Sequence, residues 1–184
     1  MNNASVGLIG VLIGFFGTYL INYAQFKREK RLKQEQIIRE KLEEICKTAE
    51  HINRFYAILT NEAMMLVKFG KKFEIKIDPI PVNILKMLVY SYVPNLRERF
   101  NILYDAINYY GEAMIYFYNI YSAGNDAMPL MKLILDLNKS ITIQCAALIE
   151  GAANIISDHF EDKNGHFIKQ IKYIYNGVKT HLVG

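Results

Sequence analysis

The stretch VGLIGVLIGFFGTYLINYAQF, residues 6–26, followed at once by KREKRLK, residues 27–33, decides how the rest of this chain is read. The first segment has 21 residues without a charge, and as a helix rising about 1.5 Å per residue it would be about 31 Å long, matching the hydrocarbon core of a bilayer. A cleaved signal peptide is the competing reading. Against it, Met1 to Ser5 carry no positive charge, and basic residues stand where a small-residue cleavage site would be needed. Residues 1–26 therefore read as a retained transmembrane anchor. Lys27, Arg28, Lys30, Arg31 and Lys33 flank only its C-terminal end, so the positive-inside rule predicts an outside N-terminus, a cytoplasmic remainder and a basic cluster at the membrane surface. Tyr19, Tyr23 and Phe26 supply the aromatic residues favoured at that interface.

This boundary also accounts for the charge. The 184 residues carry 22 basic and 18 acidic side chains, a net +4, and none of them lies in residues 1–26. Residues 27–33 hold five basic residues and one acidic residue, which leaves 17 of each sign for everything that follows. A neutral remainder argues against a domain that wraps nucleic acid, and direct nucleic-acid binding is not expected. With 52% apolar and 22% charged residues the chain must build a core, which excludes a disordered polypeptide. Cys46 and Cys145 are neither a disulfide framework nor a C-x-x-C pair and are expected to be buried thiols. The four histidines lack H-E-x-x-H spacing and no glycine-rich phosphate loop occurs, so neither a metal ion nor a cofactor is expected.

Within the anchor, Gly7, Gly10, Gly14 and Gly17 recur at spacings of three, four and three. At about 100° per residue they share one arc, which Thr18, Asn22 and Gln25 continue. The opposite face carries Leu8, Ile9, Leu12, Ile13, Phe15, Phe16, Tyr19, Leu20 and Tyr23, suited to lipid. Small residues let helices approach closely in lipid and buried amides there prefer a partner, so the arc is expected to be a helix-packing or pore face. The plainer alternative is that glycines are common in membrane helices and that Asn22 and Gln25 reach the headgroups. Val11 and Ile21 lie in the same arc, so a channel built on it would be partly hydrophobic and could gate by dewetting.

Residues 27–69 contain no proline or glycine before Gly70, and the anchor is expected to continue as one long helix. Along it Ile38, Leu42, Ile45, Ala49, Ile52, Tyr56, Leu59, Ala63 and Leu66 alternate spacings of four and three, a bundle or coiled-coil seam. Residues 70–184 are expected to complete the bundle. After a loop in which Phe73, Ile75 and Ile77 alternate, a short helix is expected over Val82 to Tyr92. A long helix opened by Pro94 follows, with the seam Leu96, Phe100, Leu103, Ile107, Tyr110, Met114, Phe117 and Tyr121. Another long helix is predicted over Pro129 to His159, and a last one over His166 to Leu182. The prediction is all-α, with one N-terminal transmembrane helix continuous with a cytoplasmic bundle of four to five helices. Tyr90, Tyr92, Tyr104, Tyr109, Tyr110, Tyr116, Tyr118 and Tyr121 crowd its middle. No basic stripe interleaves them in sequence, so they are read as core and interface packing rather than as a base-stacking platform.

One element carries a family resemblance. In Ala153-Asn154-Ile155-Ile156-Ser157-Asp158-His159, a polar residue stands five positions before a histidine near the end of a helical bundle, which resembles the HEPN domains of prokaryotic defence systems. RNase members of that family place an arginine where this chain has Ala153, and Tyr175-Asn176 before His181 is a second, equally incomplete match. The overall layout is similar to the small membrane-anchored HEPN-like accessory proteins encoded beside the RNA-guided RNase of type VI-B CRISPR systems. That resemblance implies a bacterial inner-membrane protein of antiviral defence which assembles with copies of itself into a membrane-depolarising pore, with an RNA-guided RNase effector complex as a partner. Without the arginine, cleavage through a 2′-hydroxyl lacks the cation that would stabilise the developing charge, so Asn154 and His159 form a degenerate element and no enzyme is expected. A membrane-tethered RNase and a monomeric tethered adaptor without pore activity are the rival readings.

Overall fold

In a computed structural model, residues 3–70 and 80–159 are described, with side chains from Gly14 in the first helix and as far as Ser157 in the last. The extended piece expected around Phe73, Ile75 and Ile77, the second HEPN-like match at His181 and the final helix expected from His166 lie outside these residues. Every element described is helical: α1 (Asn3–Phe69), α2 (Val82–Tyr92), a 3-10 turn (Pro94–Leu96), α3 (Arg97–Ser122) and α4 (Met128–His159). The chain divides into two units, residues 1–40 and 41–184.

The first unit consists of the start of α1. The apolar run, the basic block and the heptad segment all fall within this one helix of 67 residues. Arg31 donates to Glu35 at 2.7 Å and Gln36 to Glu40 at 2.9 Å, each one turn apart along the helix. From Gly14 to Glu40 no described residue is buried.

The second unit is the bundle, and its core begins at Leu42. Leu42, Ile45, Ala49, Ile52 and Ala63 are fully buried, and Tyr56 and Leu66 nearly so, as the seam requires. Two positions differ from expectation. Ile38 is exposed, and at the next-to-last turn of the seam Thr60, not Leu59, is buried. The Thr60 hydroxyl donates to the Tyr56 carbonyl at 2.8 Å, and its oxygen meets the Tyr110 phenol at 2.8 Å. A threonine can therefore enter the core there at little desolvation cost, because each polar group finds a partner.

In α2, Leu85, Leu88 and Val89 turn one face inward. The helix stops at Val93, whose extended backbone (φ −138°) is what a residue before proline prefers. Pro94 opens a 3-10 turn rather than the long helix itself, so α3 begins at Arg97, one turn later than the sequence places it. The α3 seam is buried from Leu96 to Phe117, with Tyr121 partly covered. Gly124, at φ 76°, then reverses the chain. Asn125 N–H reaches the Ile120 carbonyl at 3.2 Å and Gly124 N–H the Tyr121 carbonyl at 3.0 Å, a Schellman closure that a left-handed glycine permits. Asp126 accepts the Met128 N–H at 2.9 Å and starts α4, with Pro129 in the first turn where its missing donor leaves no hydrogen bond unmade.

Helices α3 and α4 pack antiparallel. Arg99 near the start of α3 donates to the Ala147 carbonyl late in α4 at 2.5 Å, and Leu96 packs against Gly151. A Cβ added at Gly151 would come within 2.6 Å of Leu96 Cδ2, so the glycine makes room on α4 for the turn that precedes α3. Ile134, Ile141, Cys145, Leu148, Ile149, Ala152 and Ile156 are fully buried along α4.

Among the described residues the segment long and apolar enough to cross a membrane is Met128–Ser157, with a mean hydropathy of 1.3, and half of its most apolar window is buried inside the protein. The sequence reading placed the span at the other end of the chain, in a run whose first half carries no described side chains. Hydropathy alone scores a helix packed inside a bundle and a lipid-facing helix alike, and burial is what separates them.

Candidate functional site: the faces of the first helix

Because α1 is a helix, residues three and four apart share a face, and the glycine spacing lines up small residues on one arc that Val11 and Ile21 also share. Gly7 and Gly10 lie in its backbone, outside the residues whose side chains are described. Gly14 and Gly17 are open: a Cβ built at either meets nothing within 4 Å. The Thr18 hydroxyl donates to the Gly14 carbonyl at 2.9 Å, which satisfies it within the helix without help from water. Asn22 and Gln25 are exposed on the same arc, with their amides turned outward. The other side presents Phe15, Phe16, Tyr19, Leu20 and Tyr23, each between 57% and 71% exposed, far more apolar surface than a water-soluble helix leaves bare. The basic cluster Lys27, Arg28, Lys30, Arg31 and Lys33 follows directly and is exposed throughout.

In the second unit, Asn154 is exposed on α4 and Ala153 packs partly against the core. His159 is the last residue of α4, and its side chain lies outside those described. Five positions along an α-helix amount to about 140° of rotation, so Asn154 and His159 occupy different faces. Sequence reasoning missed a guanidinium brought here from another helix. Arg99, bonded to the Ala147 carbonyl, lies 3.3 Å from the Cβ position of Gly151, one turn before Asn154. Forty-eight residues separate donor and acceptor, so no local pattern signals the contact.

The tyrosines divide by depth. Tyr110 is buried and Tyr90, Tyr118 and Tyr121 pack half-buried on the core, whereas Tyr92, Tyr104, Tyr109 and Tyr116 are exposed. The cations absent between them in sequence arrive in space. Lys86 lies over Tyr90 and Tyr104, Arg97 over Tyr90, and Lys41 over Tyr92, each within 6 Å of the ring centre. They come from neighbouring turns and helices, which a linear scan for a basic stripe does not register.

Cys46 and Cys145 are buried free thiols. Burial, reinforced by the nearby Glu43 carboxylate, pushes the Cys46 thiol up to about 12, and burial likewise raises the Tyr56 phenol to about 12. A thiol held protonated in this way is neither a nucleophile nor a metal ligand at neutral pH. Among the described residues no three His, Cys, Asp or Glu side chains cluster as a metal site would need. Three buried acceptors there, Asn53 Oδ1, Glu62 Oε2 and Asn138 Oδ1, receive no hydrogen bond within the chain. No family model, curated protein or solved structure matches this chain.

Proposed function

We propose that this chain is a single-span membrane protein that self-associates through the Gly7, Gly10, Gly14, Gly17, Thr18, Asn22 and Gln25 arc and forms a pore or membrane-perturbing assembly. The observation that carries the reading is the contrast between the two faces of α1: the small and polar arc is open and uncovered, while its opposite face bares five large apolar side chains. In lipid the bare face is solvated by acyl chains, and the arc with its amides is the side that gains from a neighbouring helix. The crossing is assigned to residues 6–26 and not to α4, because half of the most apolar window of α4 is already buried inside the bundle, whereas no described residue from Gly14 to Phe26 is buried. Lys27 to Lys33 then hold the bundle on the cytoplasmic side of a bacterial inner membrane. The link to CRISPR antiviral defence, with an RNA-guided RNase effector as partner, comes from the HEPN-like resemblance. A pore there converts recognition of foreign RNA into loss of membrane potential without chemistry by this chain.

The test is Gly10→Leu with Gly14→Leu. The double variant should insert normally, run as a smaller species in detergent and leak fewer ions from reconstituted vesicles. Leakage equal to that of the wild type would overturn the proposed packing, and a wild-type monomer in detergent would leave the tethered adaptor.

A further inference from the structure

We infer that the lipid-facing side of α1 ends in a binding site for the phosphate headgroup of an anionic phospholipid, held by Lys27, Lys30 and Arg31 above the rings of Tyr23 and Phe26. The inference rests on residues 6–26 being the membrane span and adds to it a ligand that the span alone does not require. An open depression of about 430 Å³ is lined by Tyr23, Phe26, Lys27, Lys30, Arg31 and Gln34. At about 100° per residue these six fall within an arc of roughly 140° on the side of the helix opposite Gly14, Gly17 and Gln25. The depression therefore faces lipid when the glycine arc faces a second copy.

Charge and order within the depression select the occupant. No acidic residue lines it, and both Glu29 and Glu35 fall outside its arc, about 120° to either side of Tyr23. Glu35 takes the Nε of Arg31 at 2.7 Å, which steadies the guanidinium and leaves its terminal nitrogens for an outside acceptor. Lys27 and Lys30 make no hydrogen bond or ion pair among the described residues. The two rings, 57% and 66% exposed, lie toward the span, with Lys27 directly after Phe26 and Lys30 and Arg31 about one turn further on. Apolar surface followed by cations is the order of a phospholipid's acyl, glycerol and phosphate groups. A free phosphate ion would match the cations but make no use of the rings.

The experiment uses the full chain in vesicles of phosphatidylcholine with and without phosphatidylglycerol, reading retained lipid by native mass spectrometry after detergent exchange. Lys30→Gln with Arg31→Gln removes two charges from the depression, and Arg28→Gln with Lys33→Gln removes two from outside it. Diffuse attraction to an anionic surface, worth a few-fold in affinity per charge, falls equally in both pairs, so the site predicts an additional loss of about tenfold in phosphatidylglycerol preference for the first pair alone. Equal losses would overturn the site, as would displacement of the lipid by millimolar inorganic phosphate. Resistance to alkaline carbonate extraction is scored in parallel. An extracted wild-type protein would overturn the span and the site together, whereas a resistant protein lacking the tenfold difference would overturn the site alone.

Discussion

Thr60 and Tyr110 show how a polar pair is kept inside a core otherwise built from Leu, Ile and Phe. The Thr60 proton is used on the Tyr56 carbonyl, so the phenol must be the donor in the 2.8 Å contact between the two side chains. That direction makes the two deletions unequal. Tyr110→Phe removes the donor and leaves the threonine hydroxyl still bonded to its own helix, at a cost of about 1 kcal/mol. Thr60→Val leaves a buried phenol with no acceptor and should cost about 1–3 kcal/mol, which denaturant unfolding of the detergent-solubilised protein would resolve. Glycines make a second comparison at this scale. Gly151→Ala places its methyl 2.6 Å from Leu96 Cδ2 and should destabilise by about 1–3 kcal/mol by forcing the buried Leu96 side chain out of its place. Gly111→Ala meets nothing within 4 Å and should instead stabilise α3 by about 1 kcal/mol, the helix propensity alone. A thermal melt of the two variants beside the wild type checks both signs.

At the scale of elements, α1 crosses the division between the two units, and no described residue before Leu42 contributes to the core of the second. Gln36→Pro would break the hydrogen-bond ladder within the first unit at about 3 kcal/mol of helix stability. The melting temperature of the bundle should remain that of the wild type while ion leakage from reconstituted vesicles is lost; a bundle that melts several degrees lower would show that its stability depends on an unbroken hydrogen-bond ladder before Lys41. Helices were legible because their signals are local. The spacing of Phe100, Leu103, Ile107, Tyr110, Met114 and Phe117 encodes one buried face wherever the neighbours lie, and Pro94 and Gly124 punctuate α3 through backbone geometry alone. What escaped the sequence was set between elements. The spacing puts Leu59 in the seam and Thr60 beside it, and only the phenol arriving from α3 makes the threonine the better core residue. The contact of Arg99 with α4 and the cations over Tyr90, Tyr92 and Tyr104 likewise depend on which turns meet. The glycine arc was legible as a pattern, since periodicity fixes a face, but periodicity does not encode what covers it.

For the whole molecule the decisive question is which apolar helix meets lipid, because residues 6–26 and Met128–Ser157 compete for that role on hydropathy while differing in what surrounds them. The protein provides its own means of deciding. Its two native thiols are buried, and the Cys46 thiol is raised to about 12, so neither reacts readily near neutral pH and a single introduced cysteine reports its own location. Ser5→Cys lies before the proposed span, and Ser122→Cys sits on the exposed end of α3, before α4. A membrane-impermeant maleimide should label Ser5→Cys in intact cells whose outer membrane is opened, and label Ser122→Cys only after the inner membrane is permeabilised. If α4 crossed the membrane in place of residues 6–26, positions 5 and 122 would lie on the same side and label alike. Opposite labelling therefore excludes α4 as the sole span and fixes the orientation in one measurement, since the sidedness of Ser5→Cys tests whether the five basic residues of the 27–33 block hold the bundle inside.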